Sequence, residues 1–252
     1  MDQFARTALI IGRDGIKKLK NRRVAVFGIG GVGGHCAEAL CRAGVGSIDL
    51  FDGDVVDITN INRQIIATHR TVGRDKAEVM RERLLEINPK ANIAARKLFY
   101  LPETADEVDL TPYDYIVDAV DTITAKLELI CRATALGIPV ISSMGAANKL
   151  DPAAFQVADI FGTSVCPMAR IMRSELRKRG IGALKVVYSK EPPATTVATT
   201  DTSTPSSAPI PDNCSPIPAS RRKIPASSPF VPPVAGLILA AEVVKDIVGI
   251  NS

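Results

Sequence analysis

Four glycines set the chemistry open to this chain. Gly28-Ile29-Gly30-Gly31-Val32-Gly33 follows an apolar run, Val24 to Phe27, and precedes a stretch of helical composition, His35 to Ala43. Glycine permits a tight turn and lets backbone N–H groups approach a phosphate at the start of a helix. Strand, glycine turn and helix in that order make Gly28, Gly30, Gly31 and Gly33 a candidate phosphate cradle, without saying which nucleotide it takes. Asp52 stands nineteen residues after Gly33, closing a second expected strand, Ile48 to Phe51. That spacing suits an acid accepting hydrogen bonds from ribose hydroxyls.

A polar cluster follows. Asn60-Ile61-Asn62-Arg63-Gln64 is succeeded by Thr71-Val72-Gly73-Arg74-Asp75-Lys76. A hydride-transfer enzyme has no need of two cations and several amides just beyond the ribose acid. A triphosphate losing pyrophosphate does, because Arg63 and Lys76 can neutralise charge building on the leaving oxygens. A further buried strand, Tyr115 to Val120, brings Asp118 and Asp121 to the same sheet edge, and an acid there can hold magnesium beside phosphates. Asp54 and Asp57 read as loop and turn acids, and Lys126 as a surface charge. His35 and His69 have no acid or nucleophile nearby in sequence and are given no role.

The elements that must position these residues alternate. Phe4 to Lys20 reads as a helical arm; strands are expected at 24–27, 48–51, 115–120 and 138–141, and helices at 35–43, 76–87, 125–136 and 234–248. In the 76–87 segment Ala77, Met80, Leu84 and Ile87 form one stripe. Alternation of this kind predicts an α/β fold, a Rossmann-like, mostly parallel sheet with helices on both faces. Residues 191–229 differ: nine of the 17 prolines fall there among Ser, Thr and Ala, with no aromatic residue. Such a stretch cannot bury enough apolar surface to offset its ordering entropy, so a flexible segment is expected.

Composition narrows the class. With 252 residues, 46% of them hydrophobic and 23% charged, the chain suits one sizeable domain. No apolar run is long enough for a bilayer, no signal peptide opens the chain, and no membrane partner is expected. Five cysteines without a C-x-x-C pair argue against a structural zinc or a disulfide framework and for a reduced, cytoplasmic setting. Cys36, Cys41 and Cys131 read as core, Cys166 as a buried inert thiol, and Cys214 as an exposed one. The net charge of +4 is uneven: Arg170 to Lys190 holds seven cations against one acid, Glu175. Such a block is either a solvated helix face or a surface for a phosphate backbone.

Taken together, G-x-G-G-V-G, Asp52, Asn60-x-x-Arg63-Gln64, Lys76 and Asp118-x-x-Asp121 resemble the ubiquitin-activating-enzyme-like superfamily over residues 4 to 150. The resemblance implies a single adenylation domain spanning 1–252. It makes Asp52 the ribose ligand, and Asn60, Arg63 and Lys76 the phosphate and transition-state contacts. Asp121 becomes the magnesium-linked acid, with ATP and Mg2+ as cofactors. Arg6 matches an arginine that reaches a partner subunit's site, which implies a homodimer. Asn60 to Val72, Asp118 to Lys126 and Asp151 to Met168 are most similar to the branch acting on threonylcarbamoyladenosine in tRNA. Members of that branch bind tRNA, activate the threonyl carboxylate with ATP and close a hydantoin ring with net loss of water. Some carry a cysteine near the C-terminal glycine segment. Ile224 to Gly236 has none, so no covalent role for a thiol is expected there.

Three rivals differ by feature. An adenylating enzyme for a ubiquitin-like sulfur-carrier protein shares the chemistry, but paired C-x-x-C motifs are absent. An NAD-dependent oxidoreductase leaves Arg63, Lys76 and Asp121 without a purpose, and a non-catalytic nucleotide-binding scaffold leaves the whole polar set so. The sequence assigns no sulfur-relay or redox protein partner.

Overall fold

In a computed structural model of the chain, residues 2–195 and 225–250 are described. The elements run α1 (Ala5–Lys20), β1 (Arg23–Phe27), α2 (Gly33–Ala43), β2 (Ser47–Phe51), α3 (Lys76–Ile87), β3 (Asn92–Arg96) and β4 (Tyr115–Asp118). They continue with α4 (Ile123–Ala135), β5 (Val140–Ser143), β6 (Phe155–Asp159), α5 (Pro167–Lys178), β7 (Lys185–Ser189) and α6 (Val231–Val248). The seven strands form one sheet in the order β3-β2-β1-β4-β5-β7-β6. All pairs are parallel except the edge pair, β6 against β7.

Side chains in β1 alternate between faces, as strand geometry requires. Val24 and Val26 join a core with Leu40, Met80, Leu84, Leu239 and Val243, drawn from α2, α3 and α6. Ala25 and Phe27 join Phe51, Tyr113, Leu129 and Ala133 on the other face. Farther along that face, Leu127, Ile130, Met172 and Leu176 pack α4 and α5 together. Helices therefore cover both faces, as the alternation predicts.

Several boundaries differ from the sequence reading. The arm α1 is broken at Gly12, whose φ of 76° and ψ of 163° are not helical. Strand β4 ends at Asp118, and β5 begins at Val140. Helix α6 starts at Val231, because prolines in a first turn lack only N–H groups that would be unpaired there anyway. Most of the Pro/Ser/Thr-rich stretch at 191–229, residues 196–224, lies outside the described residues, as do Cys214 and Arg221-Arg222-Lys223.

One residue holds both ends of that stretch. Asn148, at φ 58°, accepts from Ala194 N–H at 2.7 Å through its carbonyl and donates its own N–H to Ala226 O at 2.8 Å. Its side-chain Oδ1 accepts from Ala226 N–H at 2.8 Å. Next to it, the Glu191 carboxylate accepts from the Leu150 and Asp151 N–H groups at 2.9 and 3.0 Å.

Candidate nucleotide site

The glycine turn lies at the C-terminal end of β1, between β2 and β4. Gly28 has φ 86°, and a Cβ there would sit 2.7 Å from Ala119 O, so the turn is pressed against the end of β4. A Cβ on Gly33 would lie 1.8 Å from Gly28 O, so the loop folds back on its own backbone. Gly28 and Ile29 N–H groups are used, by Phe51 O at 2.8 Å and Asp52 Oδ2 at 2.6 Å. Those of Gly30, Gly31 and Val32 donate to no acceptor among the described residues. Free N–H groups at the start of α2 suit an anion. Gly33→Ala is expected to lose about 2 kcal/mol or more of stability, because backbone must move. Gly162→Ala, with open space around it, is the control and should change stability by less than about 0.5 kcal/mol. Denaturant midpoints of the two proteins check both expectations.

Asp52 sits beside this turn. Besides Ile29 N–H it accepts from Asp54 N–H at 2.8 Å. Burial pushes its carboxyl above the ordinary carboxylate value, opposed by the Lys76 charge and the two N–H bonds. Each oxygen retains a lone pair for a ribose hydroxyl.

Lys76 arrives by a backbone pairing that short-range patterns do not reveal. Residues 54–56 run beside 73–76, with Val56 N–H donating to Arg74 O at 2.8 Å and Lys76 N–H to Asp54 O at 3.1 Å. The Lys76 side chain is buried, and its Nζ donates to Asp54 Oδ2 at 2.8 Å. Asp54 is thus more than a loop acid: it is the carboxylate that holds Lys76.

Asn60 and Arg63 are set by a 3₁₀ turn over Ile58–Asn60. Asp57 caps it through Thr59 N–H at 2.8 Å, while Asn60 Oδ1 accepts from Asp57 N–H at 3.1 Å. Asp57 is therefore the turn acid expected from sequence. The Arg63 guanidinium donates to Thr59 O at 3.0 Å and Asn62 Oδ1 at 2.8 Å, and has no carboxylate partner among the described residues. Partial burial holds it below the usual guanidinium value. A half-buried cation without a counter-ion is a place for an anion. Its Cγ would lie 3.4 Å from a Cβ on Gly31, which packs the stem of the side chain against the glycine turn. Gln64, left without a role in the sequence reading, is buried against Gly30 with Oε1 unpaired.

Asp121 lies three residues beyond β4, exposed, with one contact of 3.3 Å from Thr122 Oγ1. Asp118, the last residue of β4, lies at the same end of the sheet but does not face solvent. It is fully buried and bonded to Lys126, which is itself fully buried, so the expected surface charge is an interior one. Among the described residues no three His, Cys, Asp or Glu side chains cluster to hold a metal. A single carboxylate nevertheless fits magnesium, which takes one or two protein acids and completes its shell with phosphates and water.

Arg6 is not near this turn. Phe4, two residues before it, packs at Gly44, 3.4 Å from where a Cβ would be, and so at the far end of α2. An eleven-residue helix spans about 16 Å, which separates Arg6 from the glycines. The arm it sits on exposes Leu9 at 87% and Ile10 at 83%.

Cys36, Cys41 and Cys166 are buried, as expected, whereas Cys131 is only partly so. Part of the basic block is committed to structure. Arg173 is bonded to Thr163, and Lys185 to Asp246 at 2.7 Å and Glu242 at 3.3 Å. Arg170, Arg177, Lys178 and Arg179 remain exposed on or just beyond α5.

The chain matches the ThiF family over residues 4–252. A tRNA threonylcarbamoyladenosine dehydratase of Bacillus subtilis is 44% identical over 248 residues, 98% of this chain and 95% of that one. The structure of E. coli tRNA N6-threonylcarbamoyladenosine dehydratase, TcdA, in complex with ATP superposes with a TM-score of 0.80 at 29% identity. It covers 98% of this chain and 94% of the other. A sulfur carrier protein adenylyltransferase of Thermus thermophilus is 33% identical over 153 residues, 60% of this chain and 55% of that one.

Proposed function

This chain belongs to the ThiF family, and on that premise we propose that it is an ATP-dependent tRNA threonylcarbamoyladenosine dehydratase. The observation that carries the adenylating chemistry is Arg63, a half-buried cation with no acidic partner among the described residues, its stem packed on a glycine turn whose Gly30, Gly31 and Val32 N–H groups find no acceptor among those residues. The substrate follows from the near full-length likeness to the Bacillus subtilis dehydratase. The sulfur-carrier reading is weaker, since that relative matches only 60% of the chain. A nicotinamide oxidoreductase gives Arg63 and Lys76 nothing to do.

The whole chain, 1–252, acts as one adenylation domain. Asp52 takes the ribose; Gly28, Gly30, Gly31 and Gly33 form the phosphate cradle; Asn60, Arg63 and Lys76 meet the phosphates. A carboxylate oxygen of the threonyl group attacks the α-phosphorus and pyrophosphate leaves, its growing charge met by Arg63 and Lys76. The tethered nitrogen then closes on the activated carbonyl, loses its proton and expels AMP. Because nucleophile and electrophile share one molecule, proximity supplies much of the rate and no protein nucleophile is required. Asp121 would hold magnesium, whose charge would help neutralise the phosphates.

Two subunits are expected, with Arg6 of each reaching the other's site; the exposed Leu9 and Ile10 of the arm support a second copy as its partner. A cytoplasmic location fits the free thiols of Cys36, Cys41, Cys131 and Cys166. No helix among the described residues is long and apolar enough to cross a membrane.

The test is incubation with ATP, magnesium and tRNA carrying threonylcarbamoyladenosine, followed by mass spectrometry of the digested nucleosides. A nucleoside lighter by one water, with pyrophosphate released, is the expected result. Neither product, alongside pyrophosphate release driven by a sulfur-carrier C-terminus, would transfer the assignment to the rival.

The exposed cations of α5 are the proposed contact to the tRNA backbone. Changing Arg170, Arg177 and Lys178 to Gln should weaken tRNA binding and lower the salt slope by up to about one per lost phosphate contact. ATP affinity should not change. Parallel lines of equal tRNA affinity against salt would make this face merely a solvated one.

A further inference from the structure

Lys126 lies in the second turn of α4 with its side chain wholly out of solvent, as is that of Asp118. An ammonium there is costly unless its donors are used. All three are. Nζ donates to Asp118 Oδ2 at 3.0 Å, to Ser142 Oγ at 3.2 Å and to the Ser143 carbonyl at 2.7 Å. Ser142 Oγ donates to Asp118 Oδ2 at 2.6 Å, and Asp118 Oδ1 accepts from Val120 N–H at 3.3 Å. The cluster joins the C-terminal ends of β4 and β5 to the start of α4.

The turn bearing Asp121 runs between Asp118 and Lys126. Both of its feet are fixed: Ala119 N–H donates to Phe27 O at 2.8 Å, and Lys126 N–H to Thr122 O at 3.0 Å. Asp121 itself is exposed and weakly held. Its place relative to the glycine turn is inherited from Asp118 and Lys126. Apolar residues could fill the space beneath α4 with equal or better stability. What they could not do is aim the helix start at two strand ends through directed bonds.

We propose that Lys126 is a positioning residue for the adenylation site, holding the 119–122 turn through Asp118 and Ser142 so that the Asp121 carboxylate faces the phosphates. The role is conditional on Asp121 holding the metal, as proposed above.

The test uses the full-length protein saturated with a non-hydrolysable ATP analogue and reads Mn2+ affinity from the resonance of free Mn2+, so that inactive variants remain measurable. Lys126→Met alone leaves Asp118 buried and uncompensated; Asp118→Asn with Lys126→Met removes both charges and is the informative protein. It should melt within about 4 °C of the parent and yet bind Mn2+ roughly tenfold more weakly. Ser142→Ala, which keeps the ion pair, should show a smaller loss of the same kind. Added to Asp121→Asn, the paired change should cost nothing more, because losses that run through one group do not multiply. Parental Mn2+ affinity in the stable paired variant and in Ser142→Ala would overturn the proposal, as would losses that multiply on the Asp121→Asn background. If Asp121→Asn itself left Mn2+ affinity unchanged, the reading of Asp121 would fall first, and the positioning role with it.

Discussion

Asp121→Ala and Lys76→Ala proteins should remain folded and lose pyrophosphate release by about 10²- to 10³-fold. Both parts follow from surroundings. Asp121 is exposed with one weak side-chain contact, so its removal leaves no buried group without a partner. Lys76 is buried, but its partner Asp54 keeps 54% of its side chain in solvent and can rehydrate when the ammonium is gone. Neither change opens a large apolar cavity. The chemical cost is of another order, because charge on a leaving pyrophosphate would face a site short of one cation or of its metal. Thermal melts and single-turnover pyrophosphate assays on the same preparations separate fold from chemistry. A folded Asp121→Ala protein with normal turnover would remove the acid from the mechanism.

Mixing an Arg6→Ala protein with a Lys76→Ala protein, each nearly inactive alone, should restore about a quarter of the parental activity once subunits have exchanged. Random pairing makes half the dimers mixed. Each mixed dimer has one site with its own Lys76 and the neighbour's Arg6 intact. The placement of Phe4 at the Gly44 end of α2 makes a contribution from Arg6 to its own subunit's site hard to build. If the mixture stays inactive despite exchange, Arg6 does not act between subunits.

Much of the frame was legible because its signals are local. Val24 to Phe27, wholly apolar, and Ile48 to Phe51, apolar but for Asp49, are buried on both faces, and they fell where the sequence placed them. Strand β3 carries Asn, Ala and Arg at an exposed edge, and β6, at the other edge, is interrupted by Gln156 and ends at Asp159, so neither offered a continuous run. The Val186-Val187-Tyr188 strand was hidden inside the basic block, whose cations drew attention to charge instead. The same limit governs the site. Glycine spacing and Asp52 are local patterns, and the structure puts them together. Lys126 was misjudged because its partners are eight, sixteen and seventeen residues away, on two strands. Asp54 was passed over because its bond to Lys76 spans twenty-two residues. A charge's partner is a property of the fold, and a single sequence does not carry it.

The Asn148 clamp has a consequence for engineering. Ala194 and Ala226 meet at one residue, so the described core closes at that stem. The entropic cost of closing a chain between two held ends grows only with the logarithm of its length, about 0.6 kcal/mol per doubling. A passenger domain spliced in there would meet a stem already zipped, while Asn148→Ala would remove the side-chain bond to Ala226 and strain a backbone held at φ 58°. The clamp makes this point of the chain a socket.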